Sequence, residues 1–509
     1  MQRHPRGEIW IVIGILLIAS FFRFYQLAKY PPGLYPDEAM DGSNALITNA
    51  TGHYQLFYTE NNGREGLYIN LQALSVKLSG IHAWALRDVS GIFGVLTVLG
   101  LYLLARELFD WRAAGVSSFL LAISFWHVNF SRIGFDGIMV PFILVYLFYF
   151  LWRGLRRNTY LDFLWAGLFT GLGFYAYSAY RVAPLIIVAV FGAYWWFLKK
   201  DFSHEKYEHA RNRLLGGFCV LAITAFFVAL PMGVYFLRNP AQLTQRTNEV
   251  SVLQQANPLL QLANSTARTL GMFTFNGDMN QRDNIAGQPE LGWPIAILFA
   301  IGFLKELYHW LRRKHGHFSP VHTLMFAWFF VMLLPGFLST EAPHALRTIG
   351  VLPIVMIFAA RGFLWLFNAG EEWEMITHPW ESASRRSGHD QFVAPVLAAL
   401  ALMIALGFYE YHRYFDVWAP SQATAAAFTA NYVDIANQIN ALPASKKKYV
   451  IIDAPAIEAY GLPVSAETVM FLTDTVTAET QHAKNLTYLT ADQAMGYHFS
   501  SNASVWHVR

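Results

Sequence analysis

Charge is scarce in this chain, and cysteine is nearly missing. Asp, Glu, Lys and Arg make up 14% of 509 residues, and Cys219 is the sole cysteine. Soluble domains carry about 25% charged residues, so this depletion excludes an ordinary soluble globular chain. One cysteine cannot form an intramolecular disulfide, so the redox compartment stays unread. The seventeen histidines include no His-Glu-x-x-His and no Cys/His cluster, which leaves no metallopeptidase or zinc-finger signature. No Walker motif is present, and none of the expected cytoplasmic loops could hold a nucleotide-binding domain. A net charge of +3 is too small to call for a nucleic-acid partner. No internal repeat stands out, so the inverted symmetry of many transporters is missing too.

What the chain has is apolar length. Fifty-five per cent of its residues are hydrophobic and 16% are aromatic. A helix needs about 20 apolar residues to cross the hydrocarbon. Such runs fall near 9–27, 88–105, 113–130, 137–152, 161–179, 182–198, 214–236, 291–310, 320–338, 346–367 and 392–412. The run at 137–152 is short and contains Pro141. The first run follows Arg3 and Arg6 and has no small-residue cleavage site after it, so it reads as a retained span rather than a signal peptide. Alternate loops carry Arg106/Arg112, Arg153/Arg156/Arg157, Lys199/Lys200/Arg211/Arg213, Arg312/Arg313/Lys314 and Arg385/Arg386. The positive-inside rule places all of these in the cytoplasm with the N-terminus. The expectation is an α-helical polytopic membrane protein of about eleven spans, residues 1–412, with long external loops at 28–87 and 237–290. The tail, 413–509, is then external and patterned as a small α/β domain. Helices are expected at 422–441 and 466–472, with strands at 449–452 and 486–489.

Chemistry-bearing residues collect in the external segments. Asp37 and Glu38 follow the first span by about ten residues, near the outer surface. A carboxylate there can take a proton from an incoming hydroxyl while its neighbour positions groups or a cation. From position alone, a pair of solvated loop acids is the plainer reading. Arg64 and Glu65 precede an apolar stretch, 68–78, that reads as an interfacial amphipathic helix. They either cap that helix or point back over Asp37. Arg132 and Asp136 lie between spans three and four, Arg181 between five and six, and His344 and Arg347 before span ten. A single Arg at a membrane surface usually snorkels to headgroups. Three on the outer side, against the positive-inside bias, suggest an anionic partner that a guanidinium fork can grip. The stretch 275–284 is dense in Asn, Gly and Asp and reads as a loop. Its Asp278 and Asp283 do not match calcium-loop spacing.

An Asp-Glu pair after the first span, a Glu-led interfacial helix and about eleven spans together resemble the GT-C glycosyltransferases. Glycosyltransferase family 39 is the nearest in pattern, the dolichyl-phosphate-mannose–protein mannosyltransferase and aminoarabinose-transferase group. The resemblance runs from about residue 1 to 365 and includes His127–Pro141, Gly173–Pro184 and His344–Pro353. It implies an inverting transfer of a hexose or pentose from a polyprenyl-phosphate donor to a protein, lipid or glycan acceptor outside the membrane. By that analogy Asp37 is the general base and Glu38 its support. Arg181, Arg347 and His344 lie by the donor phosphate, with Arg64, Glu65, Arg132 and Asp136 supporting. Gly66 follows Glu65 where family members often carry Pro or Lys-Pro, which leaves the detailed role of Glu65 open. No organic cofactor is implied. A divalent metal has a conceivable place near Asp37, Glu38 and Glu65, since the family is divided on metals. Rival readings are a transporter or flippase and a non-catalytic glycan-binding relative. A transporter would carry ionisable groups at the midplane of its spans, whereas here charges gather at the run ends.

Overall fold

The structure is a computed structural model. It describes residues 7–60, 63–201, 203–243, 250–312, 319–377, 390–454, 457–459 and 461–509. Arg3, Arg6, Arg313, Lys314, Arg385 and Arg386, which entered the topology reading, lie outside the described residues.

The bundle is built from α1 (Glu8–Phe24), α4 (Ala83–Leu108), α5 (Trp111–Ile123), α7 (Met139–Arg157), α8 (Tyr160–Leu172), α9 (Pro184–Asp201), α10 (His204–Arg238), α12 (Trp293–Leu311), α13 (Pro320–Phe337), α14 (Leu352–Thr377) and α15 (Asp390–Tyr411). Every expected apolar run is helical in its main part, yet only eight described helices are long and apolar enough to cross a bilayer unaided. Runs one, three and five are shorter. The third breaks at Ser124, between α5 and the short α6 (Phe125–Phe130). A break inside lipid is tolerated only where the freed backbone groups find partners. Here the Arg23 guanidinium donates to the carbonyls of Ala122 (2.8 Å) and Leu121 (3.3 Å), and Glu410 accepts the Phe125 N–H at 2.8 Å. The fifth run ends at Leu172 and passes into two 3-10 turns, Gly173–Tyr175 and Ser178–Val182. Pro141 does not weaken the fourth helix. It stands in the first turn of α7, where no intrahelical N–H is required. Arg106 pairs with Glu8 at 2.8 Å, so the start of α1 lies beside the end of α4.

Three elements lie outside the bundle and carry the site. Helix α2 (Pro36–Thr51), which the sequence reading left as loop, has Pro at its start, two acids in its first turn and Gly52 at φ 71° as its C-cap. These are ordinary start and stop signals. Strands β1 (Phe57–Tyr58) and β2 (Arg64–Glu65) form a small antiparallel pair that leads into α3 (Gly66–Ser79), the expected interfacial helix. Helix α11 (Pro258–Gly271) leads into the loop at 272–292.

Beyond α15 a π-helical turn, His412–Trp418, packs Tyr414 and Trp418 against Phe125. The expected helix at 422–441 is two helices, Gln422–Ala427 and α16 (Ala430–Asn440), parted at Thr429 with φ 48°. Strands β3 (Lys448–Ile452), β4 (Leu486–Thr490) and β5 (Ser504–Val508) form a parallel sheet with β3 in the centre. Strand β5 was not expected. Helix α17 (Glu467–Leu472) joins this unit to α2. Ser43 donates to Glu467 at 2.6 Å, and Thr468 and Thr429 both donate to the Leu34 carbonyl. A Cβ on Gly42 would come within 2.7 Å of the Phe471 ring. The C-terminal unit therefore grips the helix that carries Asp37.

Candidate active site

The first turn of α2 sends its two adjacent acids to different surroundings. Glu38 is fully enclosed. Its Oε2 accepts from Arg87 Nε at 2.9 Å and from the Gly134 N–H at 2.8 Å, and its Oε1 accepts from Arg87 Nη2 at 3.2 Å. Arg87 spends its other donors on the Pro31 and Gly33 carbonyls. An enclosed carboxylate so fully engaged has no face left for a substrate, which corrects the catalytic expectation for Glu38 to a positioning place. Asp37 remains 31% exposed at its side chain, with Arg64 Nη2 3.3 Å from its Oδ2.

Arg64 is buried and forks between Asp37 and Asp41, which it reaches at 2.7 Å. Burial pushes the Asp41 carboxyl up to about 7 against the pull of Arg64, and nearby Asp136 adds to the rise. The next residue, Glu65, is the N-cap of α3 but makes no side-chain cap bond. Its Oε1 instead accepts from Arg181 Nη2 at 3.0 Å. Arg181 also donates to the Leu243 carbonyl at 2.7 Å and lies over the Phe236 ring. Asp37, Arg64, Glu65 and Arg181 thus form one connected network.

A second set joins it from the far side. Arg347 pairs with Glu341 and donates to Ser339. Ser339 bridges Ser251, and the Thr340 N–H reaches the Val250 carbonyl at 2.9 Å. Within the loop at 272–292, Arg282 stacks its guanidinium 3.6 Å from the centre of the Tyr35 ring, two residues before Asp37. Arg347 and Arg282 both act electrostatically on Asp278 and Asp283 of that loop. Burial raises both carboxyls, and their mutual repulsion helps bring Asp283 to about 7. Through Arg282 on Tyr35, this loop and its charges stand beside the turn that carries Asp37.

Arg132 is no part of this site. It is fully buried, donating to the carbonyls of Phe22, Arg23, Tyr25 and Tyr30 between the rings of Tyr414 and Phe415. It ties down the end of α1 and cannot grip an anionic partner, which corrects the reading of three outer arginines to two. Asp136 is buried and feels Arg64 and Asp41. At the suggested metal place, Asp37, Glu38 and Glu65 are paired with Arg64, Arg87 and Arg181 respectively. Sequence reasoning missed Arg87, Arg282, Tyr35 and Asp41. Only Asp41 had a legible signal, being one turn after Asp37 on a helix opened by Pro36.

A bundle of apolar helices whose acids and arginines gather in the segments between helix ends defines a class of integral membrane protein with its charged groups beside the spans. Residues 67–235 match the family model described as Dolichyl-phosphate-mannose-protein mannosyltransferase. A protein of Bacillus subtilis (strain 168), named "Putative mannosyltransferase YkcB", is 23% identical over 198 residues, 37% of this chain and 27% of that protein. The match thus spans about a quarter of that relative's length. Among solved structures, ArnT from Cupriavidus metallidurans bound to undecaprenyl phosphate superposes with a TM-score of 0.55 at 13% identity, over 99% of this chain and 90% of that one. The oligosaccharyltransferase AglB from Archaeoglobus fulgidus, in complex with an inhibitory peptide and a dolichol-phosphate, gives 0.53 at 15% identity, over 92% and 64%. The fold is that of these GT-C glycosyltransferases.

Proposed function

We propose that the chain is an inverting glycosyltransferase that moves a hexose or pentose from a polyprenyl-phosphate donor to an acceptor at the outer face of the membrane. The N-terminus is then cytoplasmic, and the unit at 413–509 lies outside. The observation that carries this reading is the split between neighbours. Asp37 is part-exposed and held by Arg64, while Glu38 is spent on Arg87. One acid is left part-exposed and the other fixes the helix that presents it.

In this reading Asp37 accepts the proton of the acceptor hydroxyl as that oxygen bonds to the anomeric carbon. The bond from the anomeric carbon to the phosphate oxygen breaks, and its electron pair leaves on the polyprenyl phosphate. Attack opposite the leaving group inverts the anomeric centre. Phosphate is already a weak base, so the leaving group needs charge stabilisation more than a proton. Arg181 and Arg347, both part-exposed, supply guanidinium forks suited to phosphate oxygens, with His344 beside them. Arg64 and Glu65 keep Asp37 and Arg181 in register. Support from comparison comes from two GT-C neighbours, whose solved structures hold undecaprenyl phosphate and dolichol-phosphate.

The test is transfer of labelled sugar from polyprenyl-phosphate donors in membranes bearing the wild type or Asp37→Asn. Loss of transfer with normal expression supports the assignment, and an unchanged rate removes it.

A further inference from the structure

We infer that the loop at 272–292 and His344 form a binding site for one divalent cation, Zn²⁺ or its oxygen- and nitrogen-tolerant stand-in Mn²⁺. Asp278 and Asp283 come from the loop, and His344 from a segment sixty residues further on. Their ligand atoms all lie within 4.8 Å of one another. Two carboxylates and one imidazole make a mixed oxygen and nitrogen donor set, which suits Zn²⁺ or Mn²⁺ better than the all-oxygen preference of Ca²⁺ or Mg²⁺. Three protein ligands leave positions open for water or a phosphate oxygen.

The loop is built to hold these donors still. Asp278 Oδ1 accepts the Asn280 N–H at 2.9 Å, and its Oδ2 accepts the Ala345 N–H at 2.9 Å, which locks the loop to the residue after His344. Asp283 Oδ2 accepts from the Asn280 amide at 3.1 Å. His344 Nδ1 lies 3.5 Å from Asp278 Oδ2. A separate observation concerns Glu290, on which Arg413 acts without forming an ion pair among the described residues. Glu290 is fully buried against Asp278, taking its N–H at 2.7 Å, and its Oε2 has no hydrogen-bond partner among the described residues. Buried carboxylates persist when paired or coordinated. Yet neither Arg282 nor Arg347 makes a direct ion pair with Asp278, Asp283 or Glu290 among the described residues, being engaged with Asn280 and Tyr35 and with Glu341 and Ser339. The rival account is a protonated His344 paired with Asp278 alone. A role for the cation in gripping the donor phosphate beside Arg347 would rest on the transfer reading. The presence of the cation does not, so the two can fail separately.

The experiment measures metal, not turnover. Full-length protein is stripped with chelator in detergent, loaded with Mn²⁺ and followed by electron paramagnetic resonance, with Zn²⁺ as competitor. The expected result is roughly one saturable Mn²⁺ per chain, displaced by Zn²⁺ and showing nitrogen coupling from His344. Asp283→Asn keeps an acceptor for Asn280, and His344→Gln removes the nitrogen. Each should weaken loading roughly tenfold or more, while Asp37→Asn loads as the wild type does. Wild-type protein with no saturable Mn²⁺, or with saturable Mn²⁺ lacking nitrogen coupling, overturns the site. So do monodisperse ligand variants that load normally. The wild-type signal decides the question even if a variant fails to fold.

Discussion

In the segment between α1 and α4 each acid of the site has a guanidinium in contact: Glu38 has Arg87, Asp37 and Asp41 share Arg64, and Glu65 has Arg181. In the loop at 272–292, Asp278, Asp283 and Glu290 sit as deeply buried with no guanidinium in direct contact among the described residues. The first arrangement is complete without a ligand and can hold Asp37 in one pose. The second has only the more distant charges of Arg282, Arg347 and Arg413 acting on it, which leaves room for a cation or a proton. Preorganised acids suit a fixed base, whereas an uncompensated cluster suits an occupant that comes and goes. The two halves thus differ in how closely their acids are paired.

Splitting the two acids of α2 should give the largest effect. Asp37→Asn is expected to lower transfer by about 10²–10⁴-fold, the range for a lost general base, with the melting temperature unchanged. Glu38→Gln should lower the melting temperature instead. Arg87→Met attacks the rigid half directly. It leaves Glu38 buried without its partner and should cost about 3–5 kcal/mol, read by thermal unfolding in detergent. Combining it with Glu38→Gln should recover much of that loss. Gly33→Ala tests the grip on α2. Gly33 has φ 79°, and a Cβ there would strike the Phe428 carbonyl, so a loss of about 1–3 kcal/mol and faster proteolysis within 430–509 are expected.

Glu467 extends the comparison to the clamp, because it too is buried without a guanidinium. Burial pushes its carboxyl up to about 7, although the Ser43 hydroxyl opposes this. A carboxyl raised on folding gives its full stabilisation below the unfolded value near 4.5 and loses it as pH rises through about 7. Melting temperature should therefore fall between about pH 4.5 and 7 in the wild type. Glu467→Gln should flatten that fall, with the variant gaining on the wild type at pH 8. The smallest effect is expected at the exposed pair Arg211–Glu208, where Arg211→Ala should change stability by no more than about 0.5 kcal/mol.

The bundle was legible in the sequence because lipid enforces apolar length, and the interfacial helix because Glu65 and the following apolar stretch mark its start. The break at Ser124 was not, since the groups that make it tolerable, Arg23 and Glu410, lie about a hundred and nearly three hundred residues away. Asp37 was legible from its distance after the first span. Its difference from Glu38 was hidden, because it depends on Arg87 at the head of α4, which spacing along the chain cannot pair with an acid forty-nine residues earlier. Arg132 and Arg181 looked alike as outer arginines, and only packing separates a buried tie from a part-exposed fork. The Asp278, Asp283 and His344 cluster escaped motif reading for the same reason, since its third member belongs to another loop.

One experiment divides the labour of the site: binding of polyprenyl phosphate and transfer of its sugar, measured side by side in the wild type, Asp37→Asn, Arg181→Gln and Arg347→Gln. The account predicts that Asp37→Asn binds the lipid phosphate normally and fails to transfer, while both arginine variants bind it more weakly. Transfer by Asp37→Asn at the wild-type rate, or undiminished binding in both arginine variants, would contradict it.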